Sequence, residues 1–244
     1  MRTVQLFVTC LVDSLFPEVG QATVDVLRRA GVRLAFPQAQ TCCGQPAYNA
    51  GFRDQATSMA RTTIEVLESA PGDVVIPSGS CAEMVRHGYL ELFAEDPIWL
   101  SRARTLAERT FELSEYLVDR LGVVDLGARF GGRLAYHPSC HLLRGLGVDR
   151  QPLALLQAIG GAEVERLEAE CCGFGGVFSV LHPEISGEML QRKLEAIRRR
   201  EPAAVVGCDV SCLMQIEAGL RRSGSTVRGA HLAQVLAGRG TGLR

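Results

Sequence analysis

The chain has 244 residues, 47% of them hydrophobic and 22% charged, which is apolar material for one large domain or two of about 120 residues each and excludes disordered and fibrous architectures. Lys and Arg total 26 against 27 Asp and Glu, a formal charge of −1, so nothing global steers the protein towards nucleic acid or an anionic membrane surface. No apolar run approaches the ~20 residues of a spanning helix, and residues 1–10 lack the long apolar core and small-residue cleavage site of a signal peptide. The expectation is a soluble, cytoplasmic protein with no membrane span.

Along the chain, residues 4–8 predict a buried strand that ends just before Cys10. Pro17 opens a helix whose apolar spacing runs through Val19, Val24, Val26 and Leu27, and Gly31 stops it. A strand over 32–36, the turn Cys42-Cys43-Gly44, a helix over 52–68, a strand over 73–77 and a helix starting near Cys81 follow. After an amphipathic stretch, 100–120, the segment 121–132 carries Gly122, Gly127, Gly131 and Gly132 and marks a boundary. The same series then recurs: a strand over 133–136 before Cys140, and a helix opened by Pro152 and stopped by Gly160-Gly161. A strand over 164–167, the turn Cys171-Cys172-Gly173, a helix over 183–199, a strand over 203–207 and a helix near Cys212 complete it.

The nine cysteines make the repeat explicit. The pairs Cys10/Cys140, Cys42/Cys171, Cys43/Cys172 and Cys81/Cys212 are 130, 129, 129 and 131 positions apart, so eight of the nine fall into one duplicated pattern. Strand and helix alternate in both copies, which predicts an α/β fold of two similar domains with mainly parallel sheets, 1–125 and 126–244. Disulfides are not expected. Adjacent Cα atoms lie about 3.8 Å apart, short of the roughly 4.4–6.8 Å that an unstrained bridge spans.

Cys10, Cys81, Cys140 and Cys212 are predicted just past the carboxyl ends of strands, where open α/β sheets form ligand crevices. Helix N-termini near Cys81 and Cys212 favour negative charge and lower thiol pKa values. Gly44 and Gly173 supply turns that need positive φ or close approach. All-thiolate sets suit iron–sulfur clusters or structural zinc. Zinc sites usually come as short Cys-x2-Cys knuckles, whereas these cysteines spread over about 70 residues per unit and include vicinal pairs. The pattern favours iron–sulfur over zinc, and either over unligated buried thiols.

These residues resemble the cysteine-rich CCG domain found twice in the heterodisulfide reductase B subunit, in glycolate oxidase iron–sulfur subunits and in the LutA/YkgE family of lactate-utilisation proteins. The LutA/YkgE resemblance rests on Tyr136-His137-Pro138-Ser139-Cys140-His141-Leu142-Leu143-Arg144, on Cys171-Cys172-Gly173-Phe174-Gly175-Gly176-Val177-Phe178-Ser179 and on Ser211-Cys212-Leu213-Met214. Shorter echoes are Glu112-Leu113-Ser114-Glu115 and His231-Leu232-Ala233. The resemblance implies a non-autonomous iron–sulfur electron-transfer subunit of a cytoplasmic complex oxidising L-lactate to pyruvate, beside lactate-utilisation proteins B and C. It implies one or two clusters per chain, held by Cys10, Cys42, Cys43 and Cys81 and by Cys140, Cys171, Cys172 and Cys212. Disulfide reduction at a cluster and a zinc-stabilised scaffold are the alternatives.

Fully ligated heterodisulfide reductase units end in Cys-x2-Cys and bind a noncubane cluster through five thiolates. Here Ser78 stands three before Cys81 and Asp209 three before Cys212, with Cys208 one residue too early, so an ordinary 4Fe–4S cluster is expected. Asp209 is a candidate oxygen ligand or a capping residue, and Cys208 a spare buried thiol or a ligand.

His137 and His141 flank Cys140 as candidates to bond a cluster sulfur or take up a proton, against a strand-end cap and a solvent-facing ring. Arg144 reads as a surface pair or a carboxylate binder. Phe174 and Phe178 read as an apolar wall, Arg198-Arg199-Arg200 as a solvated helix end and Trp99 as packing. The run Gly173-Phe174-Gly175-Gly176 does not match a phosphate-binding loop.

Overall fold

The computed structural model describes residues 2–238; Met1 and residues 239–244 of the second predicted unit lie outside them. The first half runs β1 (Thr3–Leu6), α1 (Cys10–Leu15), α2 (Pro17–Arg29), β2 (Arg33–Ala35), α3 (Gln45–Asn49), α4 (Arg53–Glu68), β3 (Asp73–Ile76), α5 (Gly79–Glu83), α6 (Tyr89–Leu92), α7 (Pro97–Glu108), β4 (Thr110–Glu112) and α8 (Leu113–Glu115). The second runs β5 (Arg129–Tyr136), α9 (Arg150–Gln157), β6 (Gly160–Arg166), α10 (Phe178–Leu181), α11 (Pro183–Arg198), β7 (Ala204–Gly207), α12 (Val210–Arg222), β8 (Arg228–His231) and α13 (Leu232–Leu236). π-Helical turns occupy Met84–Gly88, Tyr116–Arg120 and His141–Gly145.

Two four-stranded, all-parallel sheets result, in the orders β2-β1-β3-β4 and β6-β5-β7-β8. The α/β class, the duplication and the parallel sheets are as expected, with one strand more per half than the sequence indicated. β4 interrupts the amphipathic stretch 100–120, and β8 is built from Arg-Gly-Ala-His. Gly160 and Gly161 do more than end a helix: α9 stops at Gln157 and the glycines open β6.

Strand side chains alternate between faces, and both faces of each sheet are covered. Val74 and Ile76 of β3 pack with Ile64 and Leu67 of α4, and Val205 of β7 packs with Leu194 of α11 and Ile216 of α12. The intervening residues turn the other way. Val4, Leu6 and Val75 from one sheet and Leu134, Tyr136 and Val206 from the other belong to one core, filled by apolar side chains of α2, α8, α9 and α13. Each fully buried Leu or Val is worth roughly 1.5–3 kcal/mol, so the shared core holds the two halves together.

The contacts across this core are related by a pseudo-twofold axis. α2 packs on α13, and its counterpart α9 packs on α8; α1 touches α12, and α5 touches the turn His141–Gly145. The two shorter segments that echo the LutA/YkgE family, at Glu112 and His231, are capping boxes that start α8 and α13.

Candidate metal centre

In each sheet the chain steps from the first strand to one neighbour and then crosses to the other, so a switch point lies beyond the carboxyl ends of β1 and β3, and again beyond β5 and β7. Cys10 opens α1 beyond β1 and Cys81 lies in α5 beyond β3. Cys140 precedes the turn His141–Gly145 beyond β5, and Cys212 lies in the first turn of α12 beyond β7. Thr9, before Cys10, adopts φ 73 and ψ 149, a strained combination for a residue with a Cβ that costs of order 1–3 kcal/mol.

The Cys-Cys-Gly turns come in from the loops after β2 and β6. Gly44 and Gly173 both sit at φ +85. A Cβ on Gly173 would approach the Ser186 carbonyl oxygen to 2.5 Å, and one on Gly44 the Ala56 carbonyl oxygen to 3.3 Å, so each turn lies against the first part of α11 or α4. The Ser186 hydroxyl donates to the Gly173 carbonyl at 2.7 Å.

All nine cysteines are free. Cys10 Sγ lies 3.5 Å from Cys42 Sγ, and Cys140 Sγ 4.0 Å from Cys171 Sγ. Hydrogen bonds from Cys10 and Cys43 hold the Cys42 thiol down at about 3, while Cys10 and Cys43 are pushed up by sharing their protons with it and by burial. The second half repeats the arrangement, with Cys171 lowered to about 2 by Cys140 and Cys172 and both of those raised. In each half the first cysteine of the vicinal pair is the one whose pKa its neighbours lower.

The two sets converge. One cavity of about 360 Å³ is lined by Cys10, Cys43 and Cys81 of the first half and by Cys140, Cys171, Cys172 and Cys212 of the second. Cys42 joins this group through Cys10. Leu11, Pro46, Phe174, Val177 and Val180 give the cavity an apolar wall. Phe178 instead packs on the His182 ring, with centroids 5.4 Å apart.

Asp209 lines the same cavity, is 1% exposed, and has both oxygens engaged. Oδ1 accepts from the Ser78 hydroxyl at 2.8 Å and the Ser80 amide at 3.0 Å, and Oδ2 accepts from the Ser139 hydroxyl at 2.6 Å. Cys208 points away from the cavity into the shared core. His141, on the rim, pairs through Nδ1 with Glu83 of the first half, a contact that raises its pKa. His137 is fully buried, and burial pushes its pKa down to about 3, leaving a neutral ring.

Arg144 donates to the Ala169 carbonyl at 2.8 Å, Trp99 stacks on Phe93 with centroids 5.6 Å apart, and Arg200 pairs with Glu165 and Glu168. The bonds from Ser78, Ser80 and Ser139 to Asp209 and the Glu83–His141 pair are site features that the sequence reading did not anticipate, Ser78 entering it only as the place of an absent thiolate. Their one signal was the repeat itself, since Ser78 and Asp209 occupy the same position in the two copies.

Eight convergent thiols with no disulfide among them, lowered thiolates and an apolar wall fit a soft metal centre, and the residues present suit an iron–sulfur group. Together, the doubled parallel sheet and the cysteine-lined crevice define a duplicated cysteine-rich α/β protein with a candidate metal centre. The family model for the CCG cysteine-rich domain matches twice, at residues 4–86 and 134–217. Lactate utilization protein A of an Exiguobacterium species is 44% identical over 239 residues, covering 97% of each chain. The protein of that name in Oceanobacillus iheyensis is 44% identical over 235 residues, 96% of each chain, and lactate utilization protein A 2 of Bacillus cereus is 42% identical over 236. The chain belongs to the CCG-domain family and, within it, to the lactate utilization protein A family. An aspartate racemase homologue from Pyrococcus horikoshii aligns over 98% of this chain and 97% of its own, at TM-score 0.34 and 10% identity, too slight a likeness to bear on function.

Proposed function

We propose that this chain is an iron–sulfur electron-transfer subunit of a cytoplasmic complex that oxidises L-lactate to pyruvate, acting with lactate-utilisation proteins B and C or equivalent redox subunits. The observation that carries the reading is the convergence of cysteines from both repeats on one apolar cavity. Similarity to proteins named for lactate utilisation supplies the substrate. Nine free thiols suit a reducing compartment, and among the described residues no helix is long and apolar enough to cross a membrane.

In this reading residues 1–125 and 126–244 form two domains. Cys10, Cys42, Cys43 and Cys81 hold one centre, and Cys140, Cys171, Cys172 and Cys212 the other. Oxidation of L-lactate to pyruvate releases two electrons and two protons, and bound 4Fe–4S clusters supply one-electron carriers. The chain's own part is to deliver thiolates, with Cys42 and Cys171 lowered by hydrogen bonds from their neighbours, and to exclude water. Leu11, Phe174, Val177 and Val180 lower the local dielectric around both sets of thiols. Asp209 fixes the start of α5 against the start of α12, so the two sets keep a constant separation.

Iron, zinc and acid-labile sulfide content of the anaerobically purified protein tests this, with an electron paramagnetic resonance spectrum of the same sample. Equal iron and sulfide, roughly four of each per filled half, is the expected result. Stoichiometric zinc without sulfide overturns it in favour of a scaffold.

A further inference from the structure

The two halves differ at the position three before the first cysteine. Phe7 and His137 each stand three residues before the first cysteine of their repeat, and each donates its backbone N–H to the equivalent strand, Phe7 to the Val75 carbonyl at 3.0 Å and His137 to the Val206 carbonyl at 2.8 Å. Phe7 is hydrocarbon among hydrocarbon. His137, at 0% exposure, has neither Nδ1 nor Nε2 hydrogen-bonded. A buried polar group left without a partner costs roughly 1–3 kcal/mol, and an apolar ring at this place, as in the first half, avoids that cost.

The polar groups around the ring are committed elsewhere. Lys193 donates to the Glu168 carbonyl at 2.8 Å, and the Asp209 oxygens take Ser78, Ser80 and Ser139. What the imidazole does face is sulfur: a ring nitrogen of His137 and the Sγ atoms of Cys172 and Cys212 all lie within 4.8 Å of one another. Two thiols and an sp² nitrogen, all buried and within a few ångströms of one another, are donors of the kind that soft transition metals take.

We propose that His137 is a metal ligand, its ring nitrogen binding an iron of the centre held by Cys140, Cys171, Cys172 and Cys212. The inference rests on the iron–sulfur reading above. It makes the halves unequal, because the second has a mixed nitrogen and sulfur donor set and the first, with Phe7, has sulfur alone. Ligation is one of the levers that set a cluster's reduction potential, so the two centres are not electronically equivalent.

The test is hyperfine spectroscopy of dithionite-reduced, full-length protein grown with 15N-histidine, with iron and sulfide measured on the same sample. A through-bond 15N coupling in the unsubstituted protein that disappears in His137→Phe and persists in His141→Gln is the expected result. Absence of the coupling in the unsubstituted protein overturns the proposal by itself, and if His137→Phe fails to fold, a coupling that persists in His141→Gln still excludes His141, the one histidine that lines the cysteine cavity among the described residues. Iron and sulfide present without such a coupling overturns the role of His137 and leaves the iron–sulfur reading standing. Absence of iron overturns both.

Discussion

Asp209 and Ser78 hold the same position in the two repeats, yet they bond to each other, with the Ser78 hydroxyl donating to Asp209 Oδ1 at 2.8 Å across the junction of the halves. Ser78 also caps its own helix, accepting the Cys81 amide at 3.3 Å, whereas the Asp209 side chain leaves its own helix start and reaches over to α5. Near the pseudo-twofold axis equivalent residues meet, and a carboxylate opposite a hydroxyl forms a bond that two carboxylates would not.

Asp209→Ala leaves the Ser78 and Ser139 hydroxyls and the Ser80 amide without their acceptor. Hydrogen bonds to a charged group are worth about 1.5–3 kcal/mol, and some rearrangement recovers part of the loss, so a net destabilisation of about 3 kcal/mol is expected in urea unfolding. A midpoint equal to that of the unsubstituted protein would contradict the junction role.

The two CCG glycines differ in how closely they are packed. Gly173→Ala meets a carbonyl oxygen at 2.5 Å and Gly44→Ala one at 3.3 Å, both at φ +85. Gly173→Ala should cost more than Gly44→Ala, which pays chiefly the backbone strain of about 1–2 kcal/mol. It should also lower metal content in the second half. Equal stabilities and metal contents for the two variants would show that the turns tolerate a Cβ.

Burial pushes the Glu112 carboxyl up to about 8, and its Oε1 has no partner. Its folded pKa lies above the unfolded value, so the proton-linked stability is fully present below about 4.5 and is lost as pH rises through 8. Glu112→Gln should therefore flatten the decline of the urea midpoint over that window. A decline as steep as in the unsubstituted protein would mean that another group carries it.

Cys208 and Cys171 separate a core thiol from a site thiol. Cys208→Ala should keep full metal content and lose about 1 kcal/mol of stability from a small cavity. Cys171→Ser should lose the centre of the second half. Metal lost in Cys208→Ala with the fold intact would move Cys208 into the ligand set.

Much of this was legible in the amino-acid order. Six of the eight strands, the long helices α4 and α11 and the duplicated cysteine pattern follow from periodicity, proline and glycine placement and repeated spacing. β4 escaped because three residues, Thr110–Glu112, sit within a stretch of helical spacing, and β8 because Arg228–His231 has no β-branched residue. The Asp209–Ser78 bond could not be read, since it depends on how two separately legible halves pack. Nor did proximity to Cys140 settle which of His137 and His141 turns inward. The strand places His137 beneath the cysteines, while the turn after Cys140 carries His141 to the rim against Glu83.

The most direct test of electron transfer is the paramagnetic resonance spectrum of the anaerobic, assembled complex, frozen before and after addition of L-lactate. Lactate should produce the signal of reduced clusters in the unsubstituted complex and leave it absent or diminished when this chain carries Cys171→Ser. A complex that turns over lactate while clusters bound to this chain remain spectroscopically unchanged, with and without Cys171, would contradict the electron-transfer role.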